Sequence, residues 1–259
     1  MEAKDSNRDL TGKVAIVTGG SRGLGKAIAL GLARNGADII VAARTETENP
    51  KMPGTIHKTV EEIQSTGRKA IAAKCDVTDE KGFAAMVEMA VKEFGHIDIL
   101  VNNAGVAFYY PVIETPLKRW ELVMKVNLVG AFLTSKAVLP QMIEQKSGSI
   151  INISSLAADE RTESFTGLSY AVSKAGLDRF TLGLAAEVGK HNIAVNAIKP
   201  QKIVNTEGMR FWLPDTDKSE WSSGDKMVRA VVHLAAQDAR GITAVIATDE
   251  ELCIWHNLK

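Results

Sequence analysis

The sequence of 259 residues predicts an α/β fold, a single domain built on a doubly wound parallel sheet with helices on both faces. Two observations lead to this prediction. Short apolar runs alternate along the chain with longer segments of helical periodicity, and the runs are apolar at consecutive positions. Such runs are typical of strands buried on both faces, and helical crossovers between them give parallel pairing with right-handed connections.

Seven runs have the length and the β-branched content of strands. They are Val14 to Val17, Ile39 to Val41, Lys69 to Ala73, Ile97 to Val101, Ile150 to Ile153, Ile193 to Ile198 and Ile242 to Ile246. The segments between them predict helices at Leu24 to Asn35, Thr55 to Thr66, Glu80 to Phe94, Lys118 to Gln145, Tyr170 to Gly189 and Asp225 to Gln237. In such a sheet ligands bind beyond the carboxyl ends of the strands, so the loops that follow the strands are expected to converge.

Two stretches lack a regular pattern. Residues 45–54 contain two prolines, and residues 201–223 carry Phe211, Trp212 and Trp221 among charged side chains. The second stretch is long enough to form a substrate lid, and its aromatic residues suit an apolar pocket, the core or an interface equally.

Charge and composition exclude several classes of partner. Lys plus Arg and Asp plus Glu both number 31, so no broad basic field attracts nucleic acid or anionic membrane. The N-terminus is polar and no run approaches the roughly 18 apolar residues of a membrane span, so a cytoplasmic protein is expected. Cys75 and Cys253 lack companions at metal-ligand spacing, which predicts reduced structural thiols and no metal site.

A glycine cluster follows the first predicted strand directly and precedes the first predicted helix. It reads Thr18, Gly19, Gly20, Ser21, Arg22, Gly23, Leu24 and Gly25. Glycines at a strand-to-helix turn let the backbone approach a pyrophosphate, and the exposed amides and the helix dipole attract its charge. A purely structural turn is the alternative, but this position between strand and helix favours phosphate binding.

Tyr170 and Lys174 are four residues apart in a predicted helix, so their side chains lie on one face, one turn apart. A free phenol titrates near 10, and a nearby ammonium lowers that pKa by stabilising the phenolate. The pair therefore suits proton exchange, although such a spacing is by itself also typical of a packing pair.

With Asn102, Asn103, Ala104 and Gly105 after the fourth strand, these motifs resemble the short-chain dehydrogenase/reductase family. The resemblance runs from about Thr11 to Ile198. The insertion Asn49 to Thr55, the Pro200 region and the C-terminal tail are most similar to the hydroxysteroid dehydrogenase-like branch. The resemblance implies a Rossmann fold and hydride transfer, but does not establish a steroid substrate.

The resemblance also implies catalytic roles for four residues. Tyr170 gives or takes the proton, Lys174 holds the nicotinamide ribose, Ser155 donates to the substrate oxygen, and Asn127 holds a water of the proton relay. Ser154 competes with Ser155, which is preferred because the second serine is the usual one in the family. Asn127 is alternatively a helix-kinking polar residue.

Cofactor contacts are implied for a larger set. They are Gly19, Ser21, Arg22, Gly23, Leu24, Gly25, Arg44, Thr45, Asp76, Val77, Asn103, Ala104, Gly105, Tyr170, Lys174, Pro200 and Ile203. The second strand ends at Ala43 where an acidic residue would exclude a 2′-phosphate, and Arg22 and Arg44 can flank that phosphate. NADP is therefore the expected cofactor. In the alternative, the cofactor is NAD and the two arginines are ordinary surface charges.

Three segments depart from the family pattern. Pro200 is followed by Gln201 instead of glycine and Thr206 is displaced, which puts the carboxamide contact in doubt. Residues 156–169 contain Asp159, Glu160, Arg161 and Glu163, which either lie near a substrate or form a solvated loop. The tail, residues 247–259, is expected to pack at a subunit interface or on the surface, and its His256 has only a remote route to substrate.

The expected function is oxidation or reduction of a small or medium apolar alcohol or carbonyl with NADP(H). A non-catalytic NADP-binding sensor or scaffold is the alternative from another class, and an NAD-linked enzyme the alternative within this class. The resemblance implies a homotetramer, or a dimer, formed through the two long helices. Small residues on the second of them would permit close packing there: Ala171, Ala175, Gly176 and Gly183.

Overall fold

The computed structural model describes residues 9–159 and 167–259. Its strands are β1 (Val14–Thr18), β2 (Asp38–Ala43), β3 (Ala70–Lys74), β4 (Ile99–Asn102), β5 (Gly148–Ile153), β6 (Ile193–Lys199) and β7 (Ile246–Thr248). Its helices are α1 (Gly23–Arg34), α2 (Ile56–Gln64), α3 (Glu80–Phe94), α4 (Leu117–Met124), α5 (Gly130–Gln145), α6 (Leu168–Val188), α7 (Glu207–Trp212), α8 (Asp225–Ala235) and α9 (Asp249–Trp255). The strands form one parallel sheet in the order β3-β2-β1-β4-β5-β6-β7, which confirms the predicted doubly wound α/β fold.

The sheet separates two apolar cores, and adjacent strand residues point into different ones. In β2, Ile39 belongs to one core and Ile40 to the other, and both side chains are fully buried. Helices α1, α2, α8 and α9 cover the first face, and α3, α5 and α6 cover the second. Burial on both faces explains why the strands are apolar at consecutive positions.

The seventh predicted strand is wrong in its position. Instead of spanning Ile242 to Ile246, β7 begins at Ile246, since Ala244 adopts a left-handed conformation with φ +60° that extended backbone excludes. Before that kink the Thr243 hydroxyl accepts a hydrogen bond from the Val195 amide and replaces a backbone partner. The other six predicted strands lie within two residues of the observed ones.

The long helix predicted from Lys118 to Gln145 is divided. A π-helical turn, Lys125–Val129, separates α4 from α5. By length and composition alone the whole segment Leu117–Gln145 is apolar enough to cross a membrane, which the sequence analysis did not anticipate. Here α4 packs on α6 and α5 packs on α3, so its apolar residues also serve the core of the fold.

The C-terminal tail is part of the fold rather than a surface appendage. Thr248 and Glu251 form a capping box at the start of α9, and the side chains of Leu252 and Leu258 are buried. Its other large apolar side chains, Ile254 and Trp255, are exposed and fit the expectation of a surface or interface segment. The expectation is therefore wrong only for the buried residues of the tail.

His256 lies far from the predicted catalytic edge. Its ring centroid is 4.6 Å from that of His233 near the end of α8. The neighbouring Leu234 carbonyl accepts a hydrogen bond from Ser149, at the amino end of β5. Because the carboxyl ends of the strands form the opposite edge, His256 has no route to a substrate bound there.

Candidate active site

The loop after β1 is tied to the loop after β4 by one threonine. The Thr18 hydroxyl accepts hydrogen bonds from the Asn103 amide at 3.0 Å and from the Ala104 amide at 3.1 Å. It also donates to the Val101 carbonyl at 3.2 Å, and the Asn103 side chain returns a bond to the Thr18 carbonyl at 2.9 Å. Two predicted cofactor-binding segments are thus held together at the carboxyl edge of the sheet.

Glycine is required at three positions of the phosphate loop. Gly19 and Gly23 adopt φ values of +67° and +56°, a region that residues with a side chain rarely enter. A Cβ at Gly25 would lie 2.4 Å from both the side-chain nitrogen of Asn103, Nδ2, and the Gly19 carbonyl oxygen. The bare backbone leaves the start of α1 open to a phosphate, as the motif predicts.

One amide of this loop is already engaged by an acidic side chain. The Gly23 amide donates to Glu207 Oε2 at 3.0 Å, and a Cβ at Gly23 would lie 3.2 Å from the Thr206 Cβ. Thr206 caps α7 by accepting from the Met209 amide. Thr206 and Glu207 therefore hold α7 against the phosphate loop. This helix lies in the segment that was predicted to be irregular. Sequence reasoning missed this contact, because nothing local relates residue 207 to residue 23.

The two arginines predicted to bind a 2′-phosphate differ in their contacts. Arg22 donates to the Gly54 carbonyl at 2.9 Å, so it is not a plain surface charge. Arg44 is 67% exposed and lies 3.9 Å from Asp76. Burial alone would raise the pKa of Asp76, but hydrogen bonds from Thr78 and the Arg44 charge lower it, so the carboxylate stays ionised.

Other predicted cofactor residues line the same edge. Ser21 is buried, the Thr45 carbonyl accepts from the Ile56 amide, and Val77 packs against Gly130. Leu24 is partly buried against the first core. At Gly105, an added Cβ would lie 3.4 Å from Asn127 Oδ1 and 3.9 Å from Lys174 Nζ, which places that glycine between two predicted catalytic residues.

Asn127 lies inside the π-helical turn, where it is buried. Its side chain accepts from the Val106 amide at 2.8 Å and donates to the Val106 carbonyl at 2.9 Å. It also donates to Ser173 Oγ at 3.0 Å. Asn127 therefore anchors the loop after β4 to α6, and π-helical turns are frequent at functional sites.

Asn102, the last residue of β4, holds the centre of the sheet edge. Its amide nitrogen donates to Asn152 Oδ1 at 2.9 Å, and its oxygen accepts from the Thr134 hydroxyl at 2.6 Å. These buried bonds link β4 to β5 and α5 and so stabilise the centre of the sheet.

Ser155, Tyr170 and Lys174 meet at the start of α6. Ser155 ends the extended segment after β5, accepts from the Ala157 amide at 3.2 Å, and lies close enough to the Tyr170 hydroxyl to lower its pKa. Lys174 Nζ lies 5.6 Å from the centre of the Tyr170 ring and donates to the Ile153 carbonyl at 2.7 Å. The predicted spacing thus brings all three groups together.

The charge balance at Tyr170 differs from the expectation. Burial raises the pKa of Tyr170 to about 12, the Ser155 hydrogen bond lowers it, and Tyr109 raises it. Burial also lowers the pKa of Lys174 to about 8, against the pull of Asp178. The expectation that Lys174 lowers the phenol pKa is wrong for this arrangement, because desolvation dominates and the ammonium is turned toward Ile153.

Ser154 is the weaker candidate for the donor. Its side chain is buried and its Oγ has no hydrogen-bond partner among the described residues, whereas Ser155 contacts Tyr170. A small pocket beside this group is lined by Thr18, Asn102, Asn127 and Lys174, among others. The geometry thus favours Ser155.

The segments that depart from the family pattern have specific partners. The Gln201 amide donates to Asp249 Oδ1 at 2.8 Å, so the buried start of α9 supports the loop after Pro200. Ile203 is exposed. Asp159 forms an ion pair with Lys199, while its own side chain remains 48% exposed, which agrees with the solvated-loop alternative for this residue. Glu160, Arg161 and Glu163 lie outside the described residues.

The cysteines match the expected structural thiols. Both are free, and burial, together with Asp76 and Asp79, raises the pKa of Cys75 to about 11, which suppresses its thiolate. Over residues 9–159 and 167–259, no group of three His, Cys, Asp or Glu side chains is arranged to hold a metal ion.

Comparison with known proteins relates this geometry to one family. A family profile described as "short chain dehydrogenase" matches residues 13–216. The human protein "Hydroxysteroid dehydrogenase-like protein 2" is 42% identical over 200 residues, which cover 77% of this chain and 48% of that protein. Its Xenopus tropicalis counterpart is 37% identical over 253 residues, covering 96% and 60%. The chain therefore spans about half the length of the curated relatives it matches.

Solved structures show the same architecture. A crystal structure of a putative dehydrogenase from Xanthomonas campestris has a TM-score of 0.86 and 33% identity, covering 96% of this chain and 90% of that chain. Carveol dehydrogenase from Mycobacterium avium, solved in complex with NAD, has a TM-score of 0.81 and 27% identity, covering 93% and 96%.

Proposed function

Because the chain belongs to the short-chain dehydrogenase family, in its hydroxysteroid dehydrogenase-like branch, we propose a specific oxidoreductase activity for it. The protein transfers hydride between NADP(H) and the carbonyl or secondary alcohol of a small or medium apolar substrate. Tyr170 is the general acid or base. The observation that carries this proposal is that Ser155, Tyr170 and Lys174 come together: Ser155 lies close enough to Tyr170 to lower its pKa, and Lys174 Nζ lies 5.6 Å from the centre of the phenol ring.

The three side chains divide the work on the substrate oxygen. Negative charge builds on that oxygen as a carbonyl is reduced, so a preorganised donor and a proton source both accelerate the step. Ser155 orients the oxygen, and Tyr170 transfers its hydroxyl proton to it. Lys174, the third member, would hold the ribose of the nicotinamide nucleotide in its charged form, the role that the resemblance implies for it. A nicotinamide dinucleotide, when bound, supplies or accepts the hydride.

The residues present fit such a dinucleotide. The glycine positions without room for a Cβ leave backbone amides exposed at the start of α1, where a pyrophosphate would bind. The Glu207 carboxylate would leave the Gly23 amide, since a second anion in the same place is repelled. Gly105, which lies close to Lys174 Nζ, belongs to the part of the edge that would face the nicotinamide ribose.

Preference for NADP is supported by the residues at the end of β2. Ala43 offers no carboxylate to a ribose, and the Arg44 guanidinium is exposed and has only a 3.9 Å ion pair with Asp76 to exchange for a 2′-phosphate. NAD remains the alternative cofactor, and the carveol dehydrogenase of similar fold was solved with NAD.

An apolar substrate is supported by side chains near the same edge. Tyr109 lies close enough to Tyr170 to raise its pKa, and Phe211 and Trp212 on α7 are exposed, with ring centroids 5.3 Å apart. These two aromatic residues are therefore not part of the core. Apolar walls with a few convergent polar groups are typical of small-molecule sites.

A variant experiment tests the mechanism. NADPH oxidation is followed against a panel of carbonyl compounds with the wild type, with Tyr170→Phe and with Tyr110→Phe, a matched change at an exposed tyrosine. Tyr170→Phe is expected to lower the rate by roughly 10²-fold or more without weakening NADPH binding. An unaltered rate would remove Tyr170 from the mechanism. NADPH binding without turnover of any compound would favour the non-catalytic sensor.

We also propose that the chain self-associates through α5 and α6. Large apolar side chains are exposed on these helices, among them Phe132, Val172 and Leu182. Of the small residues expected there, Gly176 is instead covered by Leu128 of the same chain, where an added Cβ would lie 2.9 Å from Leu128 Cδ2. Sedimentation velocity of the wild type and of Phe132→Asp distinguishes a dimer or tetramer from a monomer.

A further inference from the structure

A second buried lysine lies beside the candidate active site. Lys199 ends β6 and is only 4% exposed. Its Nζ lies 2.9 Å from Asp178 Oδ2 and forms a shorter contact with Asp159. A buried charge is strongly unfavourable without such partners. Burial alone would lower the pKa of Lys199, but the two carboxylates outweigh it and raise the pKa, which favours the charged form.

Asp178 connects this cation to the predicted catalytic lysine. It follows Lys174 by one turn of α6 and shares its face. Lys174 Nζ donates to the Ile153 carbonyl, and Ile153 pairs across the sheet with Ile198, the residue before Lys199. Asp178 therefore contacts the Lys199 ammonium directly and acts electrostatically on Lys174 one helical turn away. Its Oδ1 is buried and accepts no hydrogen bond from the described residues.

The other carboxylate fixes a catalytic segment. Asp159 directly follows the short 3-10 turn Leu156–Ala158, which Ser155 caps. The ion pair with Lys199 thus ties the segment that carries Ser155 to the end of β6, and Asp178 ties the same cation to the helix that carries Tyr170. The network joins the three elements whose side chains must stay in register for proton transfer.

We infer that Asp178 and Lys199 are positioning residues that set the charge felt by Lys174 and Tyr170 and hold the Ser155 segment against α6. This inference deepens the proposed function and rests on it for its catalytic meaning. It adds two residues, from the middle of α6 and the end of β6, to the four that the family resemblance implied.

The sign of the electrostatic effect follows from the groups around Lys174. Asp178 acts on Lys174 directly from α6, Lys199 on β6 and Asp159 after β5 are linked to it through Asp178, and Tyr109 acts on Tyr170 from the loop after β4. Removing the Asp178 charge makes the surroundings more positive, which lowers the pKa of both Lys174 and Tyr170. Removing the Lys199 charge makes them more negative, which raises both.

The test is whether variants of Asp178 and of Lys199 shift the pKa of Lys174 in opposite directions. The titration of Lys174 is followed in the full chain by NMR of its ¹³Cε group, assigned with Lys174→Arg. Asp178→Asn is expected to move the midpoint to lower pH, and Lys199→Met to move it to higher pH. Lys199→Arg keeps the charge and should restore the wild-type midpoint, and Asp159→Asn, which removes the carboxylate farther from Lys174 along the network, should shift it less than Asp178→Asn.

Shifts in the same direction, or no shift in Asp178→Asn, would overturn the inference. If Lys199→Met does not fold, Asp178→Asn and Lys199→Arg still decide it. The NMR measurement needs no turnover, so it separates this inference from the proposed function. A wild type that oxidises no NADPH would contradict the proposed enzymatic activity, but the opposite NMR shifts of the two variants would still be expected. In an active enzyme, the alkaline limb of kcat/KM should move in the same two directions.

Discussion

The Glu207 carboxylate accepts a hydrogen bond from the Gly23 amide at 3.0 Å, which joins α7 to the first turn of α1. An anion at a helix N-terminus is stabilised by the exposed amides and the helix dipole. The same position would hold the pyrophosphate of a dinucleotide. The side chain therefore competes with the proposed cofactor for one hydrogen-bond donor.

Neutralising this side chain should strengthen cofactor binding. Glu207→Gln is expected to lower the Kd for NADPH by about threefold to tenfold, because the displaced group is no longer an anion. Fluorescence titration of NADPH measures it. Glu220→Gln, an exposed carboxylate in the same segment that pairs with Lys202, is the matched control and should leave the Kd unchanged. Equal or weaker binding by Glu207→Gln would show that the contact does not oppose the cofactor.

Arg44 should decide between the two nicotinamide cofactors. Arg44→Ala is expected to raise the Kd for NADPH by roughly tenfold or more while leaving that for NADH almost unchanged, because a charge-assisted bond to the 2′-phosphate is lost. Arg34→Ala removes an exposed arginine at the other end of α1 and serves as the control. A wild-type preference for NADH that survives Arg44→Ala would defeat the NADP assignment.

Carbonyl reduction should weaken in alkaline solution. The pKa of Tyr170, about 12, keeps its proton available across the neutral range, whereas the pKa of Lys174 is lowered from 10.5 to about 8. A lysine is charged below its pKa, so the ammonium that supports proton transfer is lost as the pH rises through about 8. The value of kcat/KM for reduction should be flat below that pH and fall above it.

The residue whose titration lowers kcat/KM above about pH 8 can be identified directly. Lys174→Arg carries a charge that does not titrate in this range, so the limb near pH 8 should disappear even if the rate is lower. A limb that persists in Lys174→Arg would assign the titration to another group.

Asn127 should contribute to stability as well as to the site. Asn127→Ala leaves the Val106 amide and carbonyl without their partners, which is expected to lower the free energy of unfolding by about 2 to 4 kcal/mol. Urea denaturation measures this loss. Ser173→Ala removes one Asn127 contact but neither Val106 bond, so its loss should be smaller, about 1 kcal/mol. Equal losses in both variants would contradict the anchoring role.

Sequence patterns predicted the sheet well because burial on both faces leaves a direct signature. The consecutive apolar residues of β2 and the spacing of Tyr170 and Lys174 are local features, and local periodicity was sufficient for both. The seventh strand was misplaced because a left-handed alanine is not encoded by hydrophobicity. The π-helical turn was missed for a related reason, since its residues continue a helical pattern.

Long-range polar contacts account for most of what the sequence did not reveal. Glu207 lies 184 positions from Gly23, and the carboxylates that neutralise Lys199 come from a loop and from α6. A buried lysine and an exposed one look alike in a sequence. The pKa of Tyr170 was misjudged because the effect of burial depends on the assembled site rather than on the neighbouring lysine.

Gly25 bears on how this protein can be altered. An added methyl group there would collide with the Asn103 side chain and with the Gly19 carbonyl at once. The loop that would bind the pyrophosphate and the loop that would face the nicotinamide ribose are therefore packed against each other at Gly25 as well as joined by hydrogen bonds at Thr18. Replacing the loop after β1 or the loop after β4 by that of a relative is therefore expected to succeed only if both loops are replaced together. A redesign of the cofactor preference has to change the two loops jointly.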